Sequence, residues 1–233
     1  MERGGYFERD RAVATQSDFV RRVYNWMALG LAVTAITSLF TVNSPGMLHF
    51  IFGTPMVLMV LILAELGIVI GLSAAINRLS SSTALFLFFG YSFLNGLTLA
   101  AIFLVYTRTS IANTFFVTAG TFGVMSVYGY TTKRDLTSWG SFLTMGLIGI
   151  IIASLVNFFL RSTQVYWLVT YLGVIIFVGL TAYDAQQIKA MAMGGFAGEE
   201  MERKGAVIGA LRLYLDFINL FLLLLRIFGR RSD

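Results

Sequence analysis

Seven long apolar runs, separated by short polar connections, dominate this sequence of 233 residues. Each run is close to the roughly 20 residues that a helix needs to cross the hydrocarbon of a bilayer. The runs lack the period-two alternation that marks the strands of a membrane barrel. The sequence therefore predicts an all-α polytopic membrane protein with seven transmembrane helices, in the ranges 23–42, 56–76, 83–106, 111–131, 141–160, 166–188 and 206–228.

The composition supports a lipid environment and excludes several kinds of site. Hydrophobic residues make up 57% of the chain and charged residues only 12%, whereas soluble domains carry about 25% charged residues. Cysteine is absent and His49 is the only histidine, which excludes disulfides, thiolate metal sites and histidine clusters. The net charge of +5 does not indicate a nucleic-acid partner, because most of the 17 Lys and Arg residues lie at the ends of the apolar runs. We expect no bound cofactor.

The chain divides into a polar tail at 1–22, a transmembrane domain at 23–228 and a short C-terminal tail at 229–233. The first tail is mixed in charge and does not resemble a signal peptide. Basic residues are concentrated on its side of the membrane, which predicts a cytoplasmic N-terminus. They are Arg3, Arg9, Arg11, Arg21, Arg22, Arg78, Lys133, Arg134, Lys189, Arg203 and Lys204, against Arg108 and Arg161 in the loops of the other side.

The C-terminal end does not fit this charge rule. Seven spans place Arg226, Arg230 and Arg231 on the side opposite the tail, whereas a re-entrant last segment would place them on the same side. We favour seven spans, because the run at 206–228 is long enough to cross. The preceding connection, 189–205, is rich in glycine and then charged, which predicts a mobile loop.

Small and polar residues inside the runs yield predictions about packing. Gly67 and Gly71 have the four-residue spacing at which small residues let two membrane helices approach closely, and so do Gly205 and Gly209. Both glycine pairs are predicted to lie at helix contacts. Asn95 and Asn157 are likewise predicted to form interhelical hydrogen bonds rather than to bind a ligand.

Four ionisable residues lie well inside apolar runs: Glu65, Asp184, Arg212 and Asp216. A charged side chain at bilayer depth costs several kcal/mol by most estimates, and such residues mark ion paths and proton relays. Arg212 and Asp216 are four residues apart and share a helix face, so a purely structural ion pair is an alternative. That alternative leaves Asp184 and Glu65 unexplained, and we favour a functional role.

With a cytoplasmic tail, the sixth helix runs inward and the seventh outward, which allows Asp184 and Asp216 to meet in the cytoplasmic half of the bundle. Two carboxylates at about 4 Å repel by roughly 4 kcal/mol at an effective dielectric constant near 20. Such a pair shares one proton and titrates as a unit. With the proton it is a closed, hydrogen-bonded clasp, and without it an oxygen-rich site that suits Ca²⁺. Asp184 and Asp216 are therefore candidates for pH sensing, gating and metal binding.

Three segments carry a resemblance to a known family. The sequences GLTAYDAQQIK at 179–189 and LRLYLDFINLFLLLLRIF at 211–228 resemble the two signature segments of the transmembrane Bax inhibitor motif family, of the Bax inhibitor 1 type. YGYTTKRDL at 128–136 is similar to the turn that follows the fourth span in that family. The likeness covers nearly everything beyond the N-terminal tail, and the signature segments at 179–189 and 211–228 are highly specific.

The resemblance implies a protein of the bacterial inner membrane whose seventh helix is surrounded by the other six. It also implies a pH-sensitive Ca²⁺ leak gated by an aspartate pair, with Asp184 and Asp216 at the matching positions. Glu65 matches an acid associated with the pore, and Arg78 is the candidate for an arginine that latches the closed state. Some bacterial relatives are tied to a membrane-bound ATP-dependent protease, as substrate or modulator.

Two other functions stay open on the sequence alone. Two aspartates on neighbouring helices also suit an intramembrane aspartyl protease, but residues 213–216 read LYLD where those enzymes require Gly-x-Gly-Asp. We therefore do not expect an enzyme. The remaining alternative is a regulatory protein that acts on a membrane-bound protease through its N-terminal tail.

Overall fold

The computed structural model describes the backbone of residues 2–232, with side chains from Gln16 to Ser232. Seven helical segments of this range are long and apolar enough to cross a membrane, which confirms the predicted fold class. Apart from one isolated β-bridge, residues 2–232 contain no strand. The helices are α1 (Glu2–Val42), α2 (Pro45–Phe52), α3 (Pro55–Ala75), α4 (Ser81–Leu99), α5 (Ile102–Val105), α6 (Arg108–Thr131), α7 (Thr137–Leu160), α8 (Thr163–Gly194) and α9 (Glu199–Phe228).

Local sequence explains where several helices begin. Pro45 and Pro55 start α2 and α3, where proline's fixed φ suits the first turn and its missing N–H costs nothing. Ser80 and Thr107 precede α4 and α6, and each side-chain oxygen accepts a hydrogen bond from the amide three residues later. α4 and α5 form one candidate span, Ser81–Val105.

The connection between the last two spans differs from the prediction. α8 continues to Gly194 and α9 begins at Glu199, so the predicted mobile loop at 189–205 is mostly helical. Glu199, Glu200 and Glu202 occupy the first turn of α9, where acidic side chains stabilise a helix N-terminus. Contacts to α1 and α4 fix this region: Phe196 with Phe19 (4.8 Å between ring centroids), Glu200 with Ser81 N (2.6 Å) and Oγ (2.7 Å), and Glu202 with Arg22 (3.5 Å).

The predicted N-terminal tail is continuous with the first span, because the backbone of α1 is helical from Glu2. The side chains of 1–15, which include the predicted anchors Arg3, Arg9 and Arg11, lie outside the described residues. Burial differs sharply between spans: 72% of the apolar window of α9 is buried, against 6% for α3 and for α7. The last helix is therefore the most buried of the seven spans, which agrees with the resemblance.

The chain forms two compact units. Unit 1 comprises Met1–Val105 with Ile188–Tyr214, and unit 2 comprises Tyr106–Gln187 with Leu215–Asp233. In unit 1, the α1–α4 seam is closed by hydroxyl groups. Thr34 donates to Ser92 O (2.8 Å) and Ser38 donates to Gly96 O (2.7 Å). Because residue numbers rise together along both helices, α1 and α4 run parallel.

In unit 2, the α7–α8 seam is built from glycines that face bulky side chains of the other helix. A Cβ added to any of these glycines would lie within 3.5 Å of the facing side chain: Gly140 with Tyr183, Gly146 with Ile176, Gly173 with Ile150 and Gly179 with Leu143. Since residue numbers fall on α7 as they rise on α8, the helices are antiparallel. The glycines let the two backbones approach closely.

Candidate functional site

Asp184 and Asp216 are both buried within unit 2. Asp184 on α8 is 9% exposed and Asp216 on α9 is 4% exposed, and one oxygen of Asp216, Oδ2, is fully enclosed. Fully buried acids are uncommon, because desolvation of a carboxylate is costly. Two of them in one apolar bundle are therefore the first candidates for function.

The faces of α8 and α9 that carry these acids also carry the apolar core of unit 2. Phe177 and Leu180 precede Asp184 at the spacings of one helix face, and both belong to one buried apolar cluster. Leu220 follows Asp216 by one turn on α9 and belongs to the same cluster. The two aspartates thus extend the faces through which α8 and α9 contribute to one core.

The depth of the two acids follows from the contact between Gly173 and Leu223. A Cβ on Gly173 would lie 2.8 Å from a methyl group of Leu223, which puts these residues at one level. Asp184 lies 11 residues beyond Gly173 on α8, and Asp216 lies 7 residues before Leu223 on α9. Because the connection at 195–198 is short, α8 and α9 are antiparallel, and both acids lie on the same side of the Gly173–Leu223 level. At a rise of about 1.5 Å per residue, the difference of four residues puts the two acids about 6 Å apart in depth. The two acids therefore lie about one helical turn apart along the bundle.

Helix α6 packs against both acid-bearing helices of unit 2. A Cβ on Gly129 would lie 2.0 Å from the carbonyl oxygen of Ala182, so the backbones of α6 and α8 touch two residues before Asp184. On α9, the residue after Asp216 is Phe217, whose ring lies 5.4 Å from those of Phe115 and Phe122 on α6. The acids are therefore held in a three-helix packing arrangement.

Arg212 does not share the burial of the aspartates. Its side chain is exposed, although it lies one turn before Asp216 on α9. Arg78 is also exposed, in the connection between α3 and α4, and it forms no ion pair with any residue whose side chain is described.

Glu65 lies in unit 1, on a different network from the aspartates. It is half-buried on α3, and its carboxylate accepts hydrogen bonds from Thr98 (2.9 Å) and Asn95 (3.4 Å) on α4. Asn95 in turn accepts a hydrogen bond from the hydroxyl of Tyr214 on α9 (3.1 Å), and that hydroxyl lies 2.6 Å from Thr34 Oγ1 on α1. We call Glu65, Asn95, Tyr214 and Thr34 the tyrosine chain.

The tyrosine chain joins four helices through buried polar groups, and sequence reasoning found only part of it. Asn95 was predicted to form an interhelical hydrogen bond, and it does. Tyr214 and Thr34 were missed, because each is an ordinary residue of a membrane run. A usable signal existed for Tyr214: a tyrosine near the middle of a membrane run needs a hydrogen-bond partner for its hydroxyl. Its ring is fully buried and packs edge-on against Phe88 and Tyr91.

Metal-binding side chains are not clustered in the described part of the chain. Residues with described side chains contain no group of three or more His, Cys, Asp or Glu placed to hold one ion. Ca²⁺ in storage sites takes 6–8 oxygen ligands, so two aspartates suit a passing or transiently bound ion.

Comparison with known proteins identifies relatives along the whole chain. A family model described as inhibitor of apoptosis-promoting Bax1 matches residues 16–233. Inner membrane protein YbhL of Escherichia coli K12 is 53% identical over 220 residues, covering 91% of this chain and 92% of YbhL. An uncharacterized protein of Borreliella burgdorferi is 47% identical over 226 residues, 97% of each chain. Uncharacterized protein RP147 of Rickettsia prowazekii is 44% identical over 216 residues, 92% of this chain and 90% of RP147.

The matched region contains all seven spans as well as Glu65, Asp184 and Asp216. The presence of seven apolar helices agrees with the name of the YbhL relative, which describes an inner membrane protein. The chain is a multi-pass membrane protein, and it belongs to the Bax inhibitor 1 family.

Proposed function

We propose that this protein is a cation leak channel that carries Ca²⁺ and is gated by a proton shared between Asp184 and Asp216. The observation that carries the proposal is the burial of two carboxylates on antiparallel helices of one compact unit, about one turn apart in depth. Intramembrane acids of this kind are typical of proton relays and ion paths.

Proton sharing provides the gate. With one proton, the two carboxyl groups attract each other and hold α8 against α9. Without it, two like charges repel, by roughly 4 kcal/mol at about 4 Å and an effective dielectric constant near 20. That repulsion favours separation of the helices and offers oxygen ligands to a divalent cation. Proton concentration then controls ion passage.

Other residues have proposed roles that rest on the family resemblance. Glu65 is proposed as an acid of the ion path, and its two hydrogen-bond donors on α4 fix the carboxylate there. Arg78 is proposed as a latch of the closed state, although its guanidinium forms no ion pair with a described side chain. Arg212, one turn before Asp216 and the nearest basic residue on the same helix, is proposed as a further pore or latch residue from its position alone.

We place the protein in the bacterial inner membrane with a cytoplasmic N-terminus. The name of the YbhL relative supports the membrane, and the basic residues on the tail side support the orientation. In this orientation Asp184 lies in the cytoplasmic half of α8, and Asp216 lies near the middle of the apolar run at 206–228.

The test is Ca²⁺ flux into liposomes that contain purified protein, measured at several pH values. Asp184→Asn and Asp216→Asn each remove one ionisable group from the pair. We expect both variants to lose the dependence of flux on pH, because a single carboxyl group no longer shares its proton with a second one.

Asp135→Asn is the matched control. Asp135 lies in the connection between α6 and α7, where its carboxylate accepts a hydrogen bond from the amide of Thr137 (2.9 Å). Hydrogen bonds from Thr137 lower the pKa of Asp135. Stability from this group is therefore present above the unfolded value, about 3.9, and is lost only as pH falls through the lower folded value. Asp135→Asn should leave the pH profile between 5 and 8 unchanged. A wild-type pH response in both pair variants would refute the gate.

A further inference from the structure

One end of unit 2 concentrates arginine. Thr107 N donates to Arg230 O (3.0 Å), and Arg230 N donates to Ser110 Oγ (3.0 Å), which joins the end of α9 to the start of α6. The guanidinium of Arg226 lies 5.4 Å from the ring centre of Tyr166 at the start of α8. These contacts bring five arginines to the same end of the unit: Arg108, Arg161, Arg226, Arg230 and Arg231.

The acids in the described part of unit 2 do not lie at this end. All three lie elsewhere, with Asp135 in the connection at the other end and Asp184 and Asp216 along α8 and α9. The other end carries only Lys133 and Arg134 as basic residues. The arginine end is also the end at which the positive-inside rule predicts few basic residues. Its charge therefore calls for a specific explanation.

Two of the arginines line one cleft of about 380 Å³ at this end. Arg161 contributes from the end of α7 and Arg231 from the segment after α9. Ser162, Thr163 and Trp167 line the same cleft, which thus combines hydroxyl groups with an indole. Tryptophan of this kind is typical of the interface between lipid and water.

Arg161 is held in a costly backbone conformation. Its φ of 50° makes it the only non-glycine residue with positive φ in the described part of the chain. It ends α7, a position that glycine or asparagine normally occupies, because side chains with a Cβ are strained there. Strain at one residue is a reason to look for a role of its side chain. The side chain of Arg161 lines the cleft, which points to a role in binding there.

We propose that this cleft binds the phosphate of an anionic phospholipid headgroup. Guanidinium groups match phosphate oxygens in two-pronged hydrogen bonds, and the cleft contains arginine rather than lysine. The hydroxyl of Thr163 supplies a further donor at the edge of the cleft. Trp167 places the cleft at headgroup depth, which favours a lipid over a free anion. This site does not depend on ion conduction.

The test measures lipid retention by the full-length protein. Purified protein in detergent is given phosphatidylglycerol or phosphatidylcholine, and bound lipids are counted by native mass spectrometry. The wild type should retain phosphatidylglycerol selectively. The double variant Arg161→Gln with Arg231→Gln should bind it about tenfold more weakly, because two charge-assisted contacts are lost. Lys133→Gln with Arg134→Gln removes the same charge from the other end and should bind as the wild type does.

Arg161→Asn separates binding from folding. Asparagine tolerates positive φ, so this variant should keep or raise the temperature of unfolding while it loses selectivity for phosphatidylglycerol. A variant that retains full selectivity would overturn the proposal, and so would equal retention of both lipids by the wild type. Inorganic phosphate is added as a competitor. Displacement of the lipid by millimolar phosphate would identify a site for free anions and would also overturn the assignment to a lipid.

Discussion

In unit 1 the α1–α4 seam combines close glycines with hydroxyl groups that donate to backbone carbonyls across the seam, whereas in unit 2 the α7–α8 seam is closed by glycines that receive bulky side chains. Both arrangements suit a bilayer. Apolar helices in lipid have no hydrophobic driving force to associate, so close packing or hydrogen bonds must stabilise the contact. The acids follow the same division. Glu65 lies in the tyrosine chain of unit 1, and the aspartate pair lies in the apolar core of unit 2.

This difference indicates which acids are suited to switching. Glu65 has two side-chain donors on one neighbouring helix, which fix its orientation. Asp184 and Asp216 extend the helix faces through which Phe177 and Leu220 enter the apolar core of unit 2. A change of charge on such a face has a large effect on packing, because the surrounding dielectric constant is low. We therefore expect the response to pH to originate in unit 2.

The largest effect on stability is expected from Gly129→Ala in unit 2. The new Cβ would lie 2.0 Å from the carbonyl oxygen of Ala182, so α6 and α8 must move apart. We expect a loss of about 3 kcal/mol in the free energy of unfolding, measured by denaturation in mixed micelles. Gly120→Ala on the same helix is the control, because its Cβ would meet no atom within 4 Å. Equal stability of the two variants would show that close backbone packing does not hold unit 2 together.

A smaller effect is expected from Tyr214→Phe in unit 1. The variant keeps the ring contacts with Phe88 and Tyr91 but removes the hydroxyl that joins Asn95 and Thr34. We expect a loss of about 1–2 kcal/mol in the free energy of unfolding, since two buried groups lose a partner.

Tyr91→Phe is the control for this change. Tyr91 is equally aromatic and nearly as buried, and its hydroxyl is not part of the tyrosine chain. The comparison of the two units would need revision if Tyr214→Phe and Tyr91→Phe had the same stability.

The smallest effect is expected from the double variant Gly67→Ala with Gly71→Ala. A Cβ on either glycine would meet no atom within 4 Å, so the glycine packing of unit 2 should not extend to α3. Alanine favours the helix, and we expect stability to rise by up to about 1 kcal/mol per site. Gly209→Ala should instead reduce stability, because its Cβ would lie 3.2 Å from Val23 and 3.3 Å from Ile188. Destabilisation by the double variant would indicate a helix contact on the open face of α3.

Much of the fold was predictable, because run length and hydropathy act locally. The seven spans and the acids inside them follow from the order of residues alone, and Asn95 was correctly expected to bond between helices. Asn157 was expected to do the same, but its side chain accepts from the amide of Ser162 and so caps the end of α7. Sequence spacing does not distinguish a polar group near a helix end from one that faces another helix.

The glycine pairs illustrate the same limit. Gly67 and Gly71 have the spacing of Gly205 and Gly209, yet only the second pair lies at close contacts. Spacing places two glycines on one face of a helix, but it does not say whether a neighbouring helix covers that face. The prediction of close packing was therefore wrong for α3 and correct for α9.

By itself, the sequence determined that this chain crosses a membrane as helices and that two carboxylates lie inside the last two spans, because both properties depend on stretches of about 20 residues. Only the tertiary structure decided what these residues meet. The level of Asp184 relative to Asp216, the bond of Tyr214 to Thr34 and Asn95, and the gathering of arginines at one end of unit 2 all join residues far apart in sequence. Such contacts depend on how helices pack, and many helix rotations are compatible with the same apolar runs.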